Sequence, residues 1–286
     1  GQYGPQGPGF PSIISAGKNN FCIHYYSYKG QAHDGDMVLN DVGAWHNYVM
    51  TDVSRGWPCN GKFNERQTLL YNIALETSNH MFSIIKPGMA MKDVDGESHR
   101  YCAQLLKDAG VLDDVNNISK YMWHGGAHHV GFDVHDAVET PETIAPNMVF
   151  CVDIGIYHEE WGIGFRVEDN CLVTEGGCEN LSAMTPRTID AIEDTMSSML
   201  SMMSMLLGGI ASIALLVGGI VLGGFDRLRG NKWGFGDKFE TGFMLLGSMA
   251  LSMVGMICIA PVLAQWLGNV IVPLYRLIGV DPAMFG

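Results

Sequence analysis

Asp41 and Asp52 stand eleven residues apart in VLNDVGAWHNYVMTDVSRGWP, an otherwise apolar, strand-like stretch. With His46 and Asn47 as the loop of a hairpin, the two acids oppose each other directly on one face. Like charges so placed destabilise an antiparallel pair, and burying them costs more still. A second pair follows the same pattern. Asp153 and Glu168, fifteen apart, flank the turn-like HEEWGIG, which centres a hairpin between Glu160 and Trp161. Between the hairpins, HGGAHHVGFDVHD places His124, His128, His129 and His135 within twelve residues. A single imidazole on an apolar face reads as a satisfied structural group. Four beside facing carboxylates point to a cation ligand and a proton carrier. Oxygen-rich ligation with one imidazole favours a hard divalent ion such as Mn2+. Four carboxylates with one His suit a two-metal site that activates water.

The elements that must position these groups are legible in the periodicity. FCIHYYSY (21–28) reads as a strand, followed by the first hairpin. Residues 64–85 carry helical apolar spacing, with Asn64 as N-cap and Gln67 three residues on. A second helix over about 93–109 stops at Gly110. NMVFCVDIGIY (147–157) and GFRVEDNCLVTE (164–175) read as strands, and TPRTIDAIEDTM closes this part near residue 196. Strands and helices in this order predict an α+β domain. Cys22 and Cys151, inside strand-like stretches, read as plain buried thiols.

Charge divides the chain. Residues 1–194 hold 12 Lys+Arg against 26 Asp+Glu, and residues 195–286 hold 5 against 4. The acidic front half excludes a nucleic-acid partner, which would need a basic stripe. Seven cysteines without a C-x-x-C pair read as a reduced, cytosol-facing compartment. Behind the front half lie two charge-free runs, 31 residues from Thr195 to Phe225 and 35 from Thr241 to Tyr275. Each exceeds the roughly 20 residues that cross a bilayer, so a transmembrane hairpin is expected over 196–286. Its loop carries Arg227, Arg229, Lys232 and Lys238, which places that loop in the cytoplasm. The front domain would then lie outside, against the compartment its thiols indicate. The whole chain reads as membrane-associated, whereas residues 1–195 alone read as cytoplasmic.

CIHYYS, GDMVLNDVGAWHNYVMTDVSRGWPCNGKF, HGGAHHVGFDVHD, VFCVDIGIY and GFRVEDNCLVTEGGCENLS together resemble the pita-bread metallopeptidases. That family includes aminopeptidase P, prolidase and methionine aminopeptidase, with creatinase-like members. The match spans 1–195 in the family's order and looks closest to its proline-specific members. The resemblance implies a pita-bread catalytic domain with Asp41, Asp52, His128, Asp153 and Glu168 as ligands of two divalent ions. It implies Mn2+ first, with Co2+ or Zn2+ as alternatives. His135 would handle the proton near the leaving group and Asp153 would act as base. His24 and His124 would line the substrate site, and Arg166 would hold acids and substrate. The implied reaction is hydrolysis of an Xaa–Pro peptide bond by a hydroxide held between the metals. The tail resembles the start of the ethanolamine-utilisation permeases.

Three departures qualify these expectations, one being that HGGAHH lacks the family's usual apolar residue after its first Gly. Asp153-Ile154-Gly155 stands where the family carries Glu-Pro-Gly, which shortens one ligand by a carbon–carbon bond. The chain is also expected to begin inside the catalytic domain, which would then be N-terminally truncated. Two further readings compete with an active enzyme. One is a peptide- or metal-binding module without turnover, and the other is a membrane transport component with an incidental front domain. The sequence is compatible with a homo-oligomer but does not decide it.

Overall fold

The structure, a computed structural model, describes residues 5–138, 143–238 and 241. The chain divides into two compact units, residues 1–201 and 202–286. The first unit begins with the short strand β1 (Gly7–Pro8) and β2 (Ile13–Ala16). The first hairpin supplies β3 (Met37–Val42), β4 (Ala44–His46), β5 (Val49–Met50) and β6 (Val53–Pro58). Two helices follow, α1 (Glu65–Ile84) and α2 (Met91–Asp108). Then come β7 (Ala127–His129), β8 (Val149–His158), β9 (Ile163–Val173) and β10 (Cys178–Asn180). The helix α3 spans Ile189–Leu228.

Helix α1 starts where its cap chemistry requires. The Asn64 side chain accepts from the Gln67 backbone N–H, and the Gln67 side chain accepts from the Asn64 N–H, a complete capping box. Helix α2 ends beside Gly110, whose φ of 71° lets the chain leave through the left-handed region.

Strands β10-β9-β8-β7 form one antiparallel sheet and β2-β3-β6 a second, while β1-β4-β5 make a third. Alternation along β8 and β9 sorts their side chains to two faces. Phe150, Val152, Ile154 and Ile156 of β8, with Phe165 and Val167 of β9, join the core formed with Leu70, Tyr71 and Ala74 of α1. Cys151, Asp153, Arg166 and Glu168 are left on the opposite face. Asp169 falls on the core side, where Arg55 at 2.7 Å and Arg187 at 2.8 Å neutralise it. The two larger sheets press together at Gly56, where a Cβ would lie 2.5 Å from the Phe165 Cβ. No larger residue fits that approach.

The register of the second hairpin is the expected one, with Asp153 opposite Glu168. The first hairpin differs. Asn47 and Tyr48, not His46 and Asn47, occupy the loop, and both adopt positive φ, 48° and 69°. A two-residue hairpin loop of this hand matches the twist of its strands. The pairing centre therefore moves by one residue, and Asp41 faces Ser54 rather than Asp52. Because each partner shifts by two positions, the two acids still share a face.

FCIHYYSY is not a strand. Gly17–Phe21 forms a one-turn helix, and the segment beyond it has no regular structure. Side-chain bonds serve where a ladder would: Asn20 donates to the Met37 and Gly164 carbonyls, and Asn19 to that of Lys29. Cys22 is accordingly exposed, not buried. The first charge-free run lies within α3, where Met202, Met205, Leu206 and Leu215 are exposed. Among the described residues, no helix is long and apolar enough to cross a membrane, so the expected transmembrane hairpin gains no support. Apart from Thr241, its second run lies outside the described residues.

Candidate metal centre and active site

Nine of the residues singled out above line one cavity of about 300 Å³: His24, Asp41, Asp52, His124, His128, His135, Asp153, Arg166 and Glu168. Asp41 comes from β3 and Asp52 from the turn into β6. His128 comes from β7, Asp153 from β8, and Glu168 and Arg166 from β9. His124 precedes β7, His135 follows it, and His24 lies in the irregular segment. His129, the fourth of the clustered imidazoles, instead packs its ring 5.8 Å from that of Phe150.

The acids are deeply set, with Asp41, Asp52, Asp153 and Glu168 only 6, 3, 7 and 1% exposed. Arg166 donates to Asp41 Oδ2 at 2.7 Å, to Ser54 Oγ at 3.1 Å, to the Ile23 carbonyl at 3.1 Å and to Tyr157 Oη at 3.2 Å. His128 Nε2 lies 3.1 Å from Glu168 Oε1 and 3.7 Å from Asp52 Oδ2. His124 Nδ1 lies 3.3 Å from Asp153 Oδ2, and its Nε2 lies 3.1 Å from Tyr157 Oη. This close passage of His124 over β8 requires Gly155, since a Cβ there would stand 2.3 Å from His124 Nε2. His135 stands edge-on to His128, their ring centres 4.5 Å apart, and 6.0 Å from the ring of His24.

So many buried carboxyls resist ionising together. Burial, then the charge of Glu168, raises Asp41, and Arg166 does not reverse this. The same two causes push Asp52 up to about 11. Burial lifts Asp153 to about 6 against the pull of Arg166 and His128. At His128 burial works against the cation, but the hydrogen bond and charge of Glu168 prevail and raise it to about 9. Burial lowers His24, His124 and His135.

The donors fit divalent cations. Asp41 Oδ1, Asp52 Oδ1 and Asp153 Oδ1 are all buried without a hydrogen-bond partner. Buried polar atoms are ordinarily paired, and a cation between these oxygens would satisfy them and offset the crowding of like charge. One ligand atom each from Asp52, His128, Cys151 and Glu168 lies within 4.8 Å of the others.

Two contributors escaped the sequence reading. Tyr157 joins His124 to Arg166, and Cys151 stands among the ligand atoms although it reads as an inert thiol. The available signal was alternation, because Cys151, Asp153, Gly155 and Tyr157 share one face of β8.

Comparison with known proteins agrees with this geometry. The family described as Metallopeptidase family M24 matches residues 2–175. Residues 199–286 match the family described as Ethanolamine utilisation protein, EutH. The Xaa-Pro aminopeptidase of Escherichia coli K12 is 31% identical over 68% of this chain and 48% of its own length. That of Haemophilus influenzae is 33% identical over 66% and 49%. A solved structure described as a putative aminopeptidase P from Bacillus anthracis is 36% identical with a TM-score of 0.66, covering 68% of this chain and 47% of that one. The chain belongs to metallopeptidase family M24, and its first unit carries the pita-bread fold of the aminopeptidase P structures. It spans about half the length of the curated relatives it matches.

Proposed function

We propose that this chain hydrolyses the peptide bond between an N-terminal residue and a following proline, using two divalent metal ions in the carboxylate cavity. The observation that carries this reading is the convergence of Asp41, Asp52, His128, Asp153 and Glu168, with three buried oxygens lacking partners. Family membership and the Xaa-Pro aminopeptidases among the relatives support the substrate class. When bound, the ions polarise the scissile carbonyl and make water a nucleophile at neutral pH.

The side chains do the rest. Asp41, Asp52, Glu168, Asp153 and His128 would hold the ions, with Mn2+ proposed first and Co2+ or Zn2+ as the alternatives. Arg166 fixes Asp41 at 2.7 Å, so the acid keeps its orientation as substrate enters. Asp153 faces the cavity from β8, where its carboxylate would take a proton from water as general base. His135, kept neutral by burial and by His128, can accept a proton and pass it to the leaving nitrogen. His24 and His124 border the space for substrate. The tail from about residue 196 is proposed to associate with membrane, supported by its charge-free runs and the EutH match.

A second reading, a binding module without turnover, draws on Asp153. Its carboxyl is shorter than the family's Glu, and Oδ2 rests 3.3 Å from His124. The test uses the full chain, stripped with chelator and refilled with Mn2+, Co2+ or Zn2+ in turn, on a peptide with proline second. Metal-dependent release of the first residue, lost in Asp52→Asn, supports the enzyme. Stoichiometric metal without release overturns it in favour of the binding module, and absence of metal uptake overturns both.

A further inference from the structure

The four ligand atoms lying within 4.8 Å of one another are not those the family resemblance names. They include the sulfur of Cys151 and omit Asp41 and Asp153. Both omissions have visible causes. Arg166 draws Asp41 aside at 2.7 Å, and His124 engages Asp153 at 3.3 Å. Asp153 also lacks one carbon–carbon bond of reach, about 1.5 Å, relative to the Glu that the resemblance leads one to expect.

The backbone explains why sulfur stands there instead. Cys151 lies directly opposite His128 across the β7–β8 ladder, and Asp153 lies directly opposite Glu168 across β8–β9. Cys151 is therefore the diagonal neighbour of Glu168, on the same face. It is fully buried, and its sulfur lies among ligand atoms of Asp52, His128 and Glu168, residues that line the open cavity through which an ion enters and a proton leaves. Asp52 completes the group from the turn into β6, with an unpartnered Oδ1.

We propose that Cys151 ligates, through sulfur, the same ion as Asp52, His128 and Glu168, and that this set of two oxygens, one nitrogen and one sulfur selects Zn2+ or Co2+ over Mn2+ at that position. The proposal rests on the metal-dependent reading above and deepens it. Carboxylate and water suit Mn2+, whereas thiolate adds the softness that Zn2+ and Co2+ accept and Mn2+ does not. Zn2+ accepts four donors of these types and can expand to five-coordinate, which leaves room for the water the peptidase reading needs. Ligation breaks the S–H bond and forms a metal–sulfur bond. The proton leaves to solvent, as metal binding to thiols requires, and no electron is transferred. A second ion held by carboxylate oxygens, Asp41 Oδ1 among them, would keep the preference for a harder metal, so the two positions would differ in kind.

The test is X-ray absorption on the full chain, stripped and reloaded with Zn2+, together with the electronic spectrum of the Co2+ form. A sulfur scatterer at about 2.3 Å and a near-ultraviolet sulfur-to-cobalt charge-transfer band are expected. Both should vanish in Cys151→Ser and persist in Cys178→Ser. Zn2+ affinity should fall roughly 10–100-fold in Cys151→Ser, the range expected on losing a metal-site partner, with Mn2+ affinity nearly unchanged. Stoichiometric metal with only nitrogen and oxygen scatterers overturns this inference and leaves the peptidase reading intact. No metal uptake overturns both. Should Cys151→Ser fail to fold, the wild-type spectra still decide whether sulfur is bound, and Cys151→Ala assigns it.

Discussion

Replacing Asp52 with asparagine should stabilise the metal-free first unit and abolish its stabilisation by metal. Asp52 is 3% exposed, and burial with the nearby Glu168 charge pushes its carboxyl from 3.8 to about 11. Without metal, the folded chain thus holds a proton that the unfolded chain releases above about pH 4. A group raised on folding contributes its full stability below the unfolded value and loses it as pH climbs toward the folded one. Each pH unit is worth about 1.4 kcal/mol, so the loss accumulated by pH 7 is on the order of 4 kcal/mol. An amide carries no such dependence, and its N–H can serve the Asp41 Oδ1 that has no partner. The stripped variant should therefore gain roughly 2–4 kcal/mol at neutral pH and show a flatter profile between pH 5 and 8. With metal at 1,000 times Kd, wild type gains about 4 kcal/mol and the variant little. Hydrogen exchange of β8 and β9 peptides, in chelator and in Mn2+, reads both quantities locally. A stripped variant less protected than wild type at pH 7, or one with an unchanged pH slope, would refute the reasoning.

Three other outcomes are expected. Asp153→Glu restores the reach of the carboxyl by about 1.5 Å and should raise kcat/KM on an Xaa–Pro peptide by up to about 100-fold. A decrease would mean that the site is tuned around aspartate. Gly155→Ala places a Cβ 2.3 Å from His124 Nε2. It should drive His124 from Asp153 and Tyr157 and lower kcat/KM by about 100-fold, and an unchanged rate would remove His124 from the site. Asn64→Ala breaks the capping box of α1 and should destabilise the first unit by about 1 kcal/mol. Urea unfolding followed in that unit checks this, and a shift in metal affinity is not expected.

The candidate site was readable to the extent that its geometry is local. Asp153 and Glu168 could be paired from spacing alone, because β8 and β9 run unbroken from one tight turn and period-two alternation then fixes every partner. The Asn64–Gln67 cap is equally local, since four orphan N–H groups call for it wherever a helix begins. The first hairpin was less legible. The left-handed conformations of Asn47 and Tyr48 moved its centre by one residue, and the strand breaks at Gly43 before Ala44 joins another sheet.

By itself the sequence determined which acids share a face, where α1 and α2 start and stop, and that an acidic α+β front is followed by a tail with two charge-free runs. Those features follow from nearest-neighbour physics, repeated at periods of two and 3.6 residues. Only the tertiary structure decided that FCIHYYSY is irregular, because a strand needs a partner and Asn19 and Asn20 satisfy the neighbouring carbonyls instead. Only it decided, too, that Arg166 holds Asp41, that His124 passes over Gly155 to reach Asp153, and that Cys151 joins Asp52, His128 and Glu168. Those contacts join residues far apart in the chain, and their distances follow from how two sheets pack, which no local spacing encodes.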